Sequence, residues 1–149
     1  MMEKVGAILN SYQNDRRWLV SILQDIQAEY NYLPKDTLME VSRGLGIPLS
    51  HVCSVATFFK SFSLKPRGRH LINVCLGTAC HVRGAVKVLE KIERELGTGP
   101  GETTEDLRFT LETVNCVGAC ALGPIVIIDG EYYGQMRTDK VDSVLKDYD

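Results

Sequence analysis

The sequence predicts an α/β protein in two parts, a small N-terminal helical bundle followed by a domain built on a mixed four-stranded sheet. Three observations carry this expectation. Through the first third of the chain, apolar residues recur at the three- and four-residue spacing of buried helix faces. From His70 the pattern changes to short apolar runs and alternation, with one amphipathic helix between the first two runs. Asp129-Gly130, set between two such runs, is a strong two-residue hairpin signal.

Over residues 16–30, Leu19, Ile22, Leu23, Ile26 and Tyr30 share one helical face, and Trp18 is expected partly in the core. Asn31-Tyr32-Leu33-Pro34 breaks this helix. The next starts at Lys35 or Asp36, buries Leu38, Val41, Ser42 and Leu45, and stops near Gly44 to Gly46. Pro48 suits a first helical turn, and Val52, Val55, Ala56 and Phe59 stripe a further helix over residues 50–62. Residues 63–70 read as a linker, which divides the chain into a helical domain, 1–66, and a second domain, 67–149.

In the second domain, Leu71, Ile72, Val74 and Leu76 predict a buried strand. Val82, Ala85, Val86, Leu89, Ile92 and Leu96 then stripe a helix starting near His81, with Arg83, Lys87, Lys91 and Arg94 off the stripe. Gly97-Thr98-Gly99-Pro100-Gly101 ends it. Leu107, Phe109 and Leu111 alternate as a second strand, residues 125–128 form a third, and residues 131–135 a fourth across the hairpin. A closing helix over residues 138–148 buries Val141, Val144 and Leu145. The order is strand-helix-strand, then strand-strand-helix, so parallel strands form by right-handed crossover and the hairpin adds an antiparallel edge.

Composition narrows the function. A net charge of -2 argues against life on nucleic-acid phosphates, and no apolar run approaches the roughly 20 residues of a membrane span. The joint at residues 45–52 resembles a helix-turn-helix, but the helix after it offers only His51 and Lys60 to an anionic groove. The opening residues lack the basic, apolar and small-residue succession of a secretory signal, so a reducing cytoplasm is expected.

The chemistry is concentrated in four of the five cysteines, spaced Cys75-x4-Cys80 and Cys116-x3-Cys120. Each pair can offer two sulfurs to one metal centre, because a bend of three or four residues returns the chain near its start. Gly77, Thr78 and Ala79 fill one bend, and Val117, Gly118 and Ala119 the other; small residues let backbone N–H groups approach anionic sulfur. Cys80 falls at the start of the helix expected near His81, where the dipole favours negative charge. Disulfides, a structural zinc and a two-iron cluster all use such quartets. The odd cysteine count disfavours disulfides, and spacing alone leaves iron and zinc open.

The surrounding residues carry a resemblance. FSLKPRGRHLINVCLGTACHVRGA and CVGACALGPIVIIDGEYYGQM, with LPKDTLMEVSRGLGIPLSHVCSVATFFKSF upstream, resemble the thioredoxin-like 2Fe-2S subunit family. That family serves respiratory complex I and NAD(P)-linked, electron-bifurcating hydrogenases and formate dehydrogenases. The resemblance covers nearly the whole chain. It implies a thioredoxin-like second domain and one 2Fe-2S cluster, with Cys75, Cys80, Cys116 and Cys120 matching the family's four ligands. It also implies an electron-transfer subunit, not catalytic alone. Its expected partners are an FMN- and NAD(P)H-binding flavoprotein and a larger iron–sulfur or hydrogenase subunit, with FMN and NAD(P) bound only there. A non-catalytic assembly module stapled by zinc is the alternative.

Other residues read more plainly. His81 adjoins a ligand but a Rieske centre needs two histidines, so it reads as an outer donor or a surface residue at a helix start. Arg83 reads as a solvated helix-face residue, with tuning of the cluster's charge or contact with a partner as the sharper options. Cys53 sits beside an apolar stripe and reads as an inert thiol. The 97–101 loop follows a helix and lacks either phosphate-binding glycine pattern, so no nucleotide pocket is expected.

Overall fold

A computed structural model describes residues 2–148, in two compact units, 1–66 and 67–149. The first unit holds α1 (Met2–Ser11), α2 (Leu19–Tyr30), α3 (Lys35–Leu45) and α4 (Leu49–Phe58), with a 3-10 turn at Arg16–Trp18. Val5 and Leu9 of α1, Leu19, Ile22, Leu23 and Ile26 of α2, Leu38 and Val41 of α3, and Val52 of α4 form one core. Asn31 leaves α2 in the left-handed region, and Gly46 does the same after α3, where its N–H caps the carbonyls of Ser42 and Arg43. Gly44 lets α3 approach α1: a β-carbon there would lie 2.7 Å from Leu9 Cδ1. Gln27 then fastens the chain's exit, donating to Ser61 O and accepting from Ser63 N–H.

Several expectations for this unit change. Residues 2–11 form a helix beyond the three expected, and Val5, Ile8, Leu9 and Tyr12 do have helical spacing. The last helix stops at Phe58 instead of running to 62, and Phe62 is buried from outside it. Trp18 is 51% exposed and tilts against Tyr12, so it contributes little to the core.

The second unit is organised around β1 (His70–Cys75), the central strand of a sheet ordered β2-β3-β1-β4-β5. After β1 come α5 (Thr78–Val82), α6 (Ala85–Leu96), β2 (Glu102–Thr103) and β3 (Phe109–Val114), then β4 (Val126–Ile128), β5 (Glu131–Tyr133) and α7 (Thr138–Lys146). β3 runs parallel to β1, pairing His70 with Phe109 through Cys75 with Val114, whereas β4 lies antiparallel on the other side. Ile72, Val74, Leu111, Val126 and Ile128 pack with Val88 and Ile92 of α6 and with Val141 and Leu145 of α7. Asp129 and Gly130 both take positive φ in the β4–β5 hairpin, as a two-residue turn requires. The Asp129 carboxylate also accepts from Leu71 N–H and meets His70 Nδ1, fastening the turn to β1.

The α/β class holds, but the sheet has five strands where four were expected. The extra strand, β2, has two residues paired antiparallel with Leu111 and Thr110, too short to show alternation in sequence. The expected helix from residue 81 to 96 is two helices, because Gly84 takes φ +100 and the chain turns between α5 and α6. Val82 is therefore 80% exposed instead of lying on the buried stripe. Among the described residues, no helix is long and apolar enough to cross a membrane.

Candidate metal centre

The sheet's strand directions decide where the cysteines go. β1 and β3 run the same way, so Cys75 ends β1 at the edge where β3 delivers Asn115 and Cys116. β4 starts from that edge, and β5 returns to it. The loops at 76–84 and 115–125 thus share one end of the sheet. Leu76 N–H donates to Val114 O and Cys75 N–H to Ile125 O, joining both loops to the same strand ends.

All four candidate ligands are free thiols, and they fall into two environments. Cys75 and Cys80 are 2% and 1% exposed and pack with Ala85 and Ile125. Burial first, then the neighbouring Cys75, raises the Cys80 thiol above the ordinary range. Cys116 and Cys120 are exposed, with their Sγ atoms 3.8 Å apart. Gly118 N–H donates to Cys116 Sγ at 3.3 Å and lowers that thiol, whereas Cys116 raises Cys120. Gly118 takes φ +79, which glycine adopts without strain, so the chain can turn back directly after this N–H.

Glycines also let the loops close. A β-carbon on Gly77 would lie 2.5 Å from Asn115 O, and one on Gly123 would lie 3.0 Å from Cys80 Sγ. Cys80 is the third residue of α5, not a residue preceding a long helix, so the expected dipole of a helix starting near His81 does not act on it. Cys53 is half-buried against the first unit's core. Among the described residues, no three His, Cys, Asp or Glu side chains surround a single-ion position. The sulfurs stand as one buried and one exposed pair, with a backbone N–H on the exposed pair. Four thiols on loops at one end of the sheet are the donor set that a 2Fe-2S cluster would use.

Sequence reasoning did not anticipate the part Arg83 plays. Its guanidinium leaves the end of α5 and donates from Nη1 to the carbonyls of Cys120 and Ala121, at 3.0 and 3.2 Å. Those carbonyls belong to the 3-10 turn Cys120–Leu122. No sequence spacing links residues 83 and 120, so no pattern could have marked the pair.

A strand-helix-strand unit widened by a hairpin, with four cysteines gathered on loops at one end of its sheet, defines a thioredoxin-fold protein with a candidate thiolate metal centre. The chain belongs to the thioredoxin-like 2Fe-2S ferredoxin family, whose profile matches residues 5–149, and a 2Fe-2S cluster is that family's cofactor. It is 34% identical to the HndA component of the NADP-reducing hydrogenase of Solidesulfovibrio fructosivorans, over 99% of this chain and 86% of the relative. It is 36% identical to an NADH-quinone oxidoreductase subunit of Pseudomonas aeruginosa, over 94% of this chain and 84% of the relative. Among solved structures, an NAD+-reducing NiFe-hydrogenase in its air-oxidized state matches 88% of this chain with a TM-score of 0.77 at 20% identity, a likeness of fold. The chain spans 22% of that hydrogenase chain's length.

Proposed function

We propose that this chain is the electron-transfer subunit of an NAD(P)H-linked multisubunit oxidoreductase, with one 2Fe-2S cluster held by Cys75, Cys80, Cys116 and Cys120. The observation that carries the reading is the gathering of two thiol pairs, one buried and one exposed, at a single end of the sheet. The relatives named above are subunits of a hydrogenase and of an NADH-quinone oxidoreductase, which supports an assembly of that kind. The cluster supplies a one-electron site. Cys75 and Cys80 anchor it from the core, and Cys116 and Cys120 present its other side to solvent or to a partner. The partner is a flavoprotein that binds FMN and NAD(P)H, because a flavin takes a hydride as two electrons and passes them on singly. The parent complex is of the hydrogenase, formate dehydrogenase or complex I type, a soluble electron-bifurcating hydrogenase being one such assembly.

Anaerobic isolation tests this. Two irons and two sulfides per chain, visible absorption and a paramagnetic signal on reduction are expected, with Cys116→Ser losing the signal. Colourless protein with one zinc would establish the assembly-module alternative. In the intact complex, NAD(P)H should reduce the cluster; a cluster that stays oxidised while the flavin turns over would refute electron transfer.

A further inference from the structure

The exposed half of the candidate centre is held by a few contacts, among them Val117 and Ala119 packed against the cluster of Cys75, Cys80, Ala85 and Ile125. Residues 116–121 follow β3 and precede β4, outside the sheet's pairing. Their internal bonds are short-range: Gly118 N–H to Cys116 Sγ, Leu122 N–H to Ala119 O and Gly123 N–H to Cys120 O. Two elements reach the Cys120–Leu122 turn with hydrogen bonds: Gln135 N–H donates to Leu122 O at its far end, and Arg83 Nη1 donates to Cys120 O and Ala121 O beside the sulfur pair. Arg83 is itself fixed at its backbone. It closes α5, where its N–H reaches Ala79 O, and Gly84 at φ +100 turns the chain away immediately afterwards. The same short helix carries the buried Cys80.

We infer that Arg83 is a positioning residue, which clamps the Cys120 turn to the helix bearing Cys80 and so sets the exposed sulfur pair against the buried pair. A guanidinium suits this task, because its N–H groups are rigidly spread and its charge strengthens each bond to a carbonyl. The clamp also places a permanent cation within hydrogen-bond reach of the carbonyl of Cys120, one of the four candidate ligands. A centre that gains negative charge on reduction is favoured in its reduced form by such a cation, so Arg83 raises its potential. This inference rests on the reading that the four cysteines hold the cluster.

The test compares wild type, R83Q and R83K. In the iron-free protein, amide exchange over residues 116–123 should be about tenfold faster in R83Q, with β1 amides unchanged. In the loaded protein, R83Q should release iron to a chelator about tenfold faster, and its midpoint potential should fall. R83K should restore the potential, because it keeps the charge, but restore the release rate only partly, because an ammonium on a flexible stem lacks the planar guanidinium that holds Nη1 against both carbonyls. Wild-type exchange and release in R83Q overturn the clamp, as does exchange raised evenly across the whole second unit. If the wild type takes up no cluster, the functional reading fails, while the iron-free exchange experiment still decides whether Arg83 holds the turn.

Discussion

Gly77→Ala is the sharpest test of how the two cysteine loops meet. Gly77 has φ -57 and ψ 158, which any residue adopts, so the backbone offers no objection to a side chain. Alanine there restricts the unfolded chain and by itself favours folding by about 0.4–1 kcal/mol. The obstacle is steric. The new β-carbon would meet Asn115 O at 2.5 Å and Cys116 Cβ at 3.4 Å. Ordinary contact begins near 3.4 Å, so the loops must part by roughly 0.9 Å at the carbonyl, the difference between those two distances. That carbonyl is backbone and cannot swing aside alone, so Cys116 moves with it. Overpacking of this kind costs about 1–3 kcal/mol, leaving a net destabilisation of about 1 kcal/mol. Gly6→Ala is the control: nothing lies within 4 Å of its added β-carbon in α1, so the helix should gain about 0.8–1 kcal/mol. Native-state amide exchange reads each unit separately, through β1 amides for the first variant and α1 and α2 amides for the second. Iron release to a chelator reports the loops directly and should be faster in Gly77→Ala. A Gly77→Ala protein as stable as wild type in the second unit, with unchanged iron release, would refute the close approach of the loops.

Three further outcomes follow from the same geometry. Ile72→Ala empties a fully buried site in the central strand and should cost about 2–5 kcal/mol, seen as faster exchange across the second unit. Removing iron from loaded protein should open Cys116 and Cys120 to alkylation before Cys75 and Cys80, because the second pair is buried; mass spectrometry showing Cys80 modified first would contradict that order. Asp129→Ala loses the carboxylate that holds Leu71 N–H and His70 and should destabilise the hairpin by about 1–3 kcal/mol, read as faster exchange of the β4 and β5 amides, whereas Asp129→Asn, which tolerates the positive φ, should lose less.

The fold was legible where burial repeats over many residues. α2 and α3 place four buried residues each on one face, and their ends carry left-handed residues at Asn31 and Gly46. β1, β4 and the Asp129-Gly130 turn were readable because a buried strand and a two-residue hairpin leave compact signatures. β2 was not, since two residues cannot display a period and their strand character comes from pairing with Thr110 and Leu111. The break at Gly84 was hidden for a related reason. Val82, Ala85, Val86 and Leu89 fit a helical stripe as written, and only the turn at Gly84 removes Val82 from the buried face.

The candidate centre divides in the same way. Short-range spacing within each cysteine pair is a local property, so the pairs could be recognised from the chain itself. Their convergence depends on β1 and β3 being parallel neighbours, which follows from the strand-helix-strand order. Burial of one pair and exposure of the other depend on more: Cys80 is covered because Gly123 lacks a side chain, and a β-carbon there would stand only 3.0 Å from its sulfur, whereas the Cys116–Cys120 loop leaves the sheet. Contacts between residues 80 and 123, or 83 and 120, carry no period and no motif. They arise only once the sheet has brought both loops to one end, and a side chain that looks like solvated surface in the sequence, Arg83, then finds two carbonyls within reach.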